Sequence, residues 1–245
     1  MIDSADAVSP RFKARMAGVC QLLEATTAAF GQVIVLDRLV VADNAAATAA
    51  NILGHERLFW SGFTSSLIGV SFHIAWAFFI YELLKPVNRS ISLLAAFVIL
   101  VDCAIQAQTC LFHLAPLLIL QGGSSLSAFT PEQLQALALT FLKLDDYAFG
   151  IDHVFFGFWL VLTGYLIFRS TFLPRVLGVL LAISGLGWVT YLSPPLAQHL
   201  SPFIVGASAL GEIPLELWLI VMGVNVQRWK EQASAAGSSD GASGS

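Results

Sequence analysis

The chain has 245 residues, of which 57 % are hydrophobic and only 11 % are charged, with a formal net charge of −4. Soluble domains carry about 25 % charged residues, so this composition excludes an ordinary water-soluble protein. It also offers no basic excess, and we therefore expect no nucleic-acid partner. The composition favours a chain whose helices are surrounded by a lipid bilayer.

Six apolar stretches are long enough to cross a hydrocarbon core of ~30 Å as helices. In chain order they are residues 15–36, 59–84, 90–120, 147–168, 174–192 and 203–226. We therefore predict an all-α fold, a polytopic bundle of six transmembrane helices, within one domain over residues 11–230. Residues 1–10 are predicted to form a polar lead-in. Residues 231–245, which end in glycine and serine, are predicted to form a flexible polar tail.

The lysines and arginines predict the orientation of the bundle. Nine of the twelve lie on the side that holds both termini: Arg11, Lys13, Arg15, Lys85, Arg89, Arg169, Arg175, Arg228 and Lys230. The other three are Arg38, Arg57 and Lys143. Because cytoplasmic loops are enriched in basic residues, we expect the N- and C-termini to be cytoplasmic.

The connections differ in length. Two longer ones face outward, and in residues 36–58 an alanine-rich stretch predicts a short surface helix. In residues 121–146, Thr130 is a candidate N-cap that is followed by Pro131. The apolar residues after it predict an amphipathic helix lying at the outer interface. The proline-containing residues 193–202 are predicted to form a tight connection between the fifth and sixth helices.

A polar stripe runs along the third predicted helix. Asp102, Gln106, Thr109 and His113 share one face, because they are spaced by four, three and four residues. Ionisable groups inside a membrane are costly unless they are partnered, so they mark functional sites. Ionisable residues of four helices fall near the same depth. They predict an intramembrane polar cluster: Glu24, His73, Asp102, Gln106, Glu212 and Glu216.

A second group of polar residues is predicted nearer the outer surface. Its candidates are His55, Glu56, His113 and His153. His153 shares a helix face with Gly157 and Gly164, whose seven-residue spacing predicts close packing against a neighbouring helix. The tryptophans are expected to pack in the core or to anchor the helices at the interface: Trp60, Trp159, Trp188 and Trp218.

Several explanations of these residues stay open. The midplane acids fit interhelical hydrogen bonding, proton or cation handling, or a polar ligand site. His113 and His153 favour a hydrogen bond between helices, with a metal site or a haem clamp as the alternatives. No cofactor is predicted, because the tight histidine spacing of metal sites is missing. Motifs for a nucleophile or a phosphate loop are missing too, which argues against an enzyme.

Four segments of the chain resemble a bacterial membrane family, domain of unknown function 4386, over about residues 9–225. They are NILGHERLF (51–59), KPVNRSISLLAAF (85–97), FFGFWLVLTGYLIFRSTFLPRVLGVLLAISGLGW (155–188) and GEIPLELWLIVMGVN (211–225). The resemblance implies a multi-pass protein of the bacterial inner membrane, without an established activity. It places eight residues inside motifs: His55, Glu56, Arg169, Ser170, Pro174, Arg175, Glu212 and Asn225.

Three functional hypotheses follow. The first is an integral membrane protein with a polar intramembrane pocket that binds or translocates a small solute or protons. The second is a membrane-embedded enzyme that acts on lipid through an outer histidine and acid site, with a metal. The third is a non-catalytic membrane partner or regulatory subunit. The expected partners are the lipid bilayer and either a small-molecule ligand or a second membrane protein.

Overall fold

The structure, a computed structural model, describes residues 8–242, and for residues 237–242 it describes the backbone alone. The first seven residues of the predicted lead-in and residues 243–245 of the predicted tail lie outside the described residues. Residues 8–242 contain no strand. Their fold is built from helices and short connections.

Six helices are long and apolar enough to cross a membrane. We call them the first to the sixth span: Pro10–Leu39, Glu56–Leu84, Arg89–Gln121, Pro131–Arg169, Arg175–Leu192 and Pro194–Val221. The predicted all-α fold with six transmembrane helices is thereby confirmed. Two further helices, Ala45–Gly54 and Val226–Ala242, lie between the first two spans and after the sixth span.

The chain divides into two compact units. The first unit comprises Met1–Leu22, His73–Asp102 and His153–Ser245, and the second comprises Leu23–Phe72 and Cys103–Asp152. The second unit contains a core cluster of buried side chains: Val35, Leu39, Ile52, Phe59, Leu117 and Leu142. Side chains of membrane-spanning helices leave lipid rather than water when they pack, so van der Waals contacts hold such a cluster together. Each unit is described separately below.

The fourth span is longer than the sequence predicts. It begins at Pro131, so the separate amphipathic helix predicted at the interface is wrong. The cap itself is as expected, because Gln133 N donates to Thr130 Oγ1 at 3.4 Å and Thr130 N donates to Gln133 Oε1 at 2.9 Å. No proline or glycine lies between residues 134 and 146 to end the helix, which therefore continues to Arg169.

The sixth span begins earlier than the sequence predicts. Residues 194–202 are helical, so the predicted connection over residues 193–202 is wrong. Its first prolines, Pro194 and Pro195, lie in the first helical turn, where a missing N–H costs nothing. The span ends at Val221, and Gly223 then adopts a left-handed φ of 67° while its N–H donates to the Trp218 carbonyl.

The segment after the sixth span is helical as far as Ala242, where the sequence predicts a flexible tail from residue 231. Asn225 starts this helix, because its side-chain oxygen accepts a hydrogen bond from Arg228 N at 3.0 Å. Trp229 Nε1 donates to the Leu83 carbonyl at 2.9 Å, which ties the helix to the second span. This contact anchors the start of the helix to the second span.

The first span contains an irregular segment. Residues Phe30–Leu36 are π-helical, with one extra residue in each turn. The short helix Ala45–Gly54 follows, capped by Asn44, whose side chain accepts from Ala47 N at 2.9 Å. The sequence predicts this helix correctly, and its Ile52 side chain is fully buried in the core cluster of the second unit.

Candidate functional site

A buried pair of ionisable side chains joins the second and third spans in the first unit. His73 Nδ1 lies 3.6 Å from Asp102 Oδ2, and these side chains are 2 % and 0 % exposed. That distance allows an ion pair when the imidazole is protonated, and it is longer than a hydrogen bond. An imidazole and a carboxylate so placed can share a proton or contribute two of the ligands of a metal ion.

Aromatic rings surround the imidazole of this pair. The His73 ring stacks on Trp76 at 5.2 Å and meets Phe156 and Trp159 edge-on at 5.9 and 6.5 Å. Trp76 and Trp159 are both buried, and their rings are 4.6 Å apart. Such a shell lowers the local dielectric constant, so any change of charge on the pair acts strongly on its surroundings. Within the described residues, Trp76 Nε1 has no hydrogen-bond partner.

A second acid, Glu212 of the sixth span, is held by three donors. Its Oε1 accepts hydrogen bonds from Ser184 Oγ at 2.7 Å, Ser208 Oγ at 2.7 Å and Trp188 Nε1 at 3.1 Å. Ser184 and Trp188 belong to the fifth span, one helical turn apart on the same face. The Glu212 carboxyl group therefore links the sixth span to the fifth span through its hydrogen bonds from Ser184 and Trp188.

A row of rings connects the two acidic groups. Trp188, which donates to Glu212, also packs against the His153 ring at 4.3 Å. Phe156 then lies 5.9 Å from His153 on one side and 5.9 Å from His73 on the other. All of these residues belong to the first unit. We call this set the acid–aromatic row: Asp102, His73, Phe156, His153, Trp188 and Glu212.

Glycines set the close approach of the fourth and fifth spans that carry this row. A Cβ on Gly157 would lie 2.7 Å from the Gly185 carbonyl oxygen, and one on Gly164 would lie 2.6 Å from that of Gly178. Real Cβ atoms are not found at such distances, so only glycine fits at these contacts. The close packing predicted from the spacing of Gly157 and Gly164 is thereby confirmed.

The other members of the predicted intramembrane cluster have different surroundings. Glu216 is buried in the first unit, one turn along the sixth span from Glu212. Glu24 and Gln106 belong to the second unit, where each is half-buried. Within the first unit, His73 and Asp102 lie next to each other. The aromatic rings of the acid–aromatic row connect this pair to Glu212.

The residues of the predicted outer group are also distributed over the two units. His153 lies in the acid–aromatic row, whereas His113 belongs to the second unit and packs on the Phe59 ring at 4.8 Å. Glu56 accepts a hydrogen bond from Gln121 Nε2 at 3.3 Å in the second unit. His55 is exposed at the end of the short helix. Among the described residues, none of these histidines belongs to a group of three neighbouring metal-ligating side chains.

Sequence reasoning missed two residues of this site and misjudged a third. Ser184 and Phe156 were not candidates, and Trp188 was expected only to pack or to anchor. A usable signal was present, because Ser184 and Trp188 are four residues apart and so offer two donors on one face of the fifth span. No comparable signal marks Phe156, which only the fold brings between two histidines.

Six apolar spans that enclose buried acids and histidines define a multi-pass helical membrane protein. The chain belongs to the family described as domain of unknown function (DUF4386), which matches residues 16–223. This confirms the family resemblance stated above. An uncharacterized protein of Archaeoglobus fulgidus is similar to the chain, with 29 % identity over 147 residues, or 59 % of this chain and 72 % of that protein. No solved structure matches the chain.

Proposed function

We propose that the protein lies in the bacterial inner membrane with both termini on the cytoplasmic side. The basic residues support this orientation, since nine of twelve fall in the segments that share a side with the termini. Single cysteines placed at Ser90 and at Ser125, in a background without the three native cysteines, test it. We expect a membrane-impermeant thiol reagent added to spheroplasts to label position 125 alone, and labelling of position 90 alone would overturn the orientation.

We propose that the acid–aromatic row binds and releases protons, and that proton binding is coupled to the binding or passage of a small solute. The observation that carries this proposal is the His73–Asp102 pair, which is almost completely buried with its ionisable atoms 3.6 Å apart. Each proton gained or lost there changes the net charge of a site enclosed by rings. A buried charge without a partner is costly, so protonation shifts the balance between conformations of the surrounding helices.

Glu212 supports the same proposal from the other end of the row. Its three donors come from hydroxyl and indole groups. Hydroxyl groups can also accept hydrogen bonds, so Ser184 and Ser208 can reorient when the carboxyl changes its proton. The row therefore has acid or imidazole groups at both ends and in the middle, and aromatic rings lie between them. In this proposal the acids and histidines of the row bind the protons, and the aromatic rings separate these groups from one another.

Infrared difference spectroscopy of the purified protein, recorded between two pH values, tests the proposal directly. We expect carboxyl bands in the wild-type spectrum that lose one component in Asp102→Asn and another in Glu212→Gln. Glu132→Gln is the control, because Glu132 is an exposed acid in the first turn of the fourth span and its loss is expected to leave the bands of Asp102 and Glu212 unchanged. If the Asp102 and Glu212 variants keep every wild-type band and change only thermal stability, the acids are structural and the proposal is wrong.

A further inference from the structure

The second unit contains a cavity of about 560 Å³ at the π-helical end of the first span. Its volume lies within the roughly 300–1,000 Å³ of small-molecule sites. Its apolar walls come from the first and fourth spans and from the residue that follows the first span: Val33, Leu36, Val40, Leu139, Leu142 and Phe149. The cavity can therefore hold an apolar molecular body.

The polar part of the lining is acidic. Four aspartates and one lysine line the cavity, and they are Asp37, Asp43, Asp145, Asp146 and Lys143. Lys143 Nζ lies 3.2 Å from Asp43 Oδ1, and both side chains are exposed. This ion pair neutralises one of the four carboxylates. An excess of negative charge remains, which favours a cationic ligand.

Asp145 distinguishes this cavity from a cluster of surface acids. The residue is only 2 % exposed, and its Oδ1 has no hydrogen-bond partner within the described residues. A buried carboxylate oxygen without a donor is unfavourable and rare in folded proteins. A ligand that brings an N–H donor into the cavity would satisfy it.

The backbone of the first span supports a ligand site at the same place. Gln32 and Leu36, which line the cavity, both lie in the π-helical segment Phe30–Leu36. π-helical turns are less favourable than α-helical turns and are frequent at functional sites. The irregular segment supplies the lining of the cavity with the Gln32 side chain. Backbone geometry and the unpartnered oxygen thus indicate the same location.

The arrangement of the carboxylates favours an organic cation over a metal ion. Within the part of the chain that the structure describes, no three acids of this cavity bring ligand atoms within 4.8 Å of one another. Calcium and magnesium ions take six or more ligands, which are mostly oxygen atoms. We propose that the cavity binds a small organic ammonium ion, whose N–H group donates to Asp145 while its apolar part contacts the leucine and phenylalanine walls. This proposal is independent of the acid–aromatic row.

Calorimetric titration of the full chain in detergent with phenethylamine tests the proposal, and 2-phenylethanol is the uncharged match. We expect saturable binding of the amine and no binding of the alcohol. Asp145→Asn and Asp146→Asn form a matched pair of variants, because each replaces one aspartate of the cavity lining with a neutral amide. We expect affinity to fall about thirtyfold in Asp145→Asn, because a buried charge partner is lost. We expect only about a twofold to threefold fall in Asp146→Asn, because that acid is exposed.

A third variant keeps the test decisive if Asp145→Asn fails to fold. Val40→Trp leaves every charge in place and fills the cavity, so it is expected to abolish phenethylamine binding. If the amine and the alcohol bind equally, the cavity is merely apolar and the proposal is wrong. Equal losses in Asp145→Asn and Asp146→Asn, or unchanged binding in Val40→Trp, would show that the amine binds to surface charge and would also overturn it.

Discussion

Glu212 and Asp145 are both acids within membrane-spanning helices, but their surroundings differ. Glu212 offers one oxygen to three protein donors, at 2.7, 2.7 and 3.1 Å. Asp145 is more deeply buried and lines a cavity, yet its Oδ1 meets no donor within the described residues. A carboxyl group satisfied by its own protein adds stability to the fold besides any proton that it binds, whereas an unsatisfied one leaves a place for a ligand. Glu212 and Asp145 thus illustrate two different roles of a carboxyl group in a membrane-spanning helix.

The largest effect is expected where the framework around Glu212 is packed most tightly. Gly178→Leu puts a Cβ at 2.5 Å from the Gly164 carbonyl oxygen, so the fourth and fifth spans must separate. We expect the free energy of unfolding in mixed micelles to fall by about 3 kcal/mol or more. Gly206→Ala is the control, because a Cβ there meets nothing within 4 Å and alanine favours the helix. Equal stability of these variants would refute the tight contact.

Removing the Glu212 carboxyl is expected to have the next largest effect. Glu212→Leu leaves two hydroxyls and an indole N–H without their acceptor, and we expect it to lower the free energy of unfolding by about 2 kcal/mol. Glu212→Gln keeps an oxygen acceptor, so its cost is expected to be about 1 kcal/mol or less. Unfolding of both variants in the same micelles measures the difference. Equal costs would mean that the three hydrogen bonds do not stabilise the fold.

The opposite sign is expected at Asp145. Asp145→Asn replaces a buried acid, whose Oδ1 meets no donor within the described residues, with a neutral amide, so we expect the free energy of unfolding to rise by about 1 kcal/mol. The same variant loses ligand affinity, which is typical of a site maintained at a cost in stability. Thermal unfolding of Asp145→Asn without ligand measures this change in stability, and Asp146→Asn is the reference variant. A clear loss of stability in Asp145→Asn would show that the Asp145 carboxyl stabilises the fold, as that of Glu212 does, and would contradict this prediction.

The smallest effect is expected at the rim of the cavity. Lys143 and Asp43 form an exposed ion pair, so Lys143→Met is expected to change the free energy of unfolding by about 0.5 kcal/mol or less. Removing the lysine leaves the acids uncompensated, and phenethylamine is expected to bind about twofold tighter at low salt. Titrations at two salt concentrations check this. Weaker amine binding in this variant would contradict an electrostatic role for the acidic lining.

The spans could be predicted from the sequence because a long apolar stretch in a chain with few charges leaves little other choice. The contact of the fourth span with a neighbouring helix was also predictable, since glycines seven residues apart lie on one face. The start of the sixth span was not, because Pro194 and Pro195 suit a loop as well as a first helical turn. Helix ends thus depend on tertiary context more than helix centres do.

Asp145 shows why the rest of the site could not be predicted. The sequence places it in an outer connection, just before the predicted start of the fourth span at residue 147. The structure extends that helix back to Pro131, which buries Asp145 and exposes its neighbour Asp146. Nothing in the local sequence distinguishes these two aspartates. Their difference arises from helix phase and from the π-helical turns of the first span, which follow no simple sequence pattern.

The glycine contacts between the fourth and fifth spans also bear on the order of assembly. Gly164 and Gly178 lie on either side of a connection of five residues, 170–174, so they are near neighbours along the chain. Joining neighbours costs little loop-closure entropy. These two helices can therefore pair as soon as both have left the ribosome and entered the bilayer. The partners of Glu212 on the fifth span would then be in place before the sixth span arrives, and that acid enters a membrane that already holds two of its three donors.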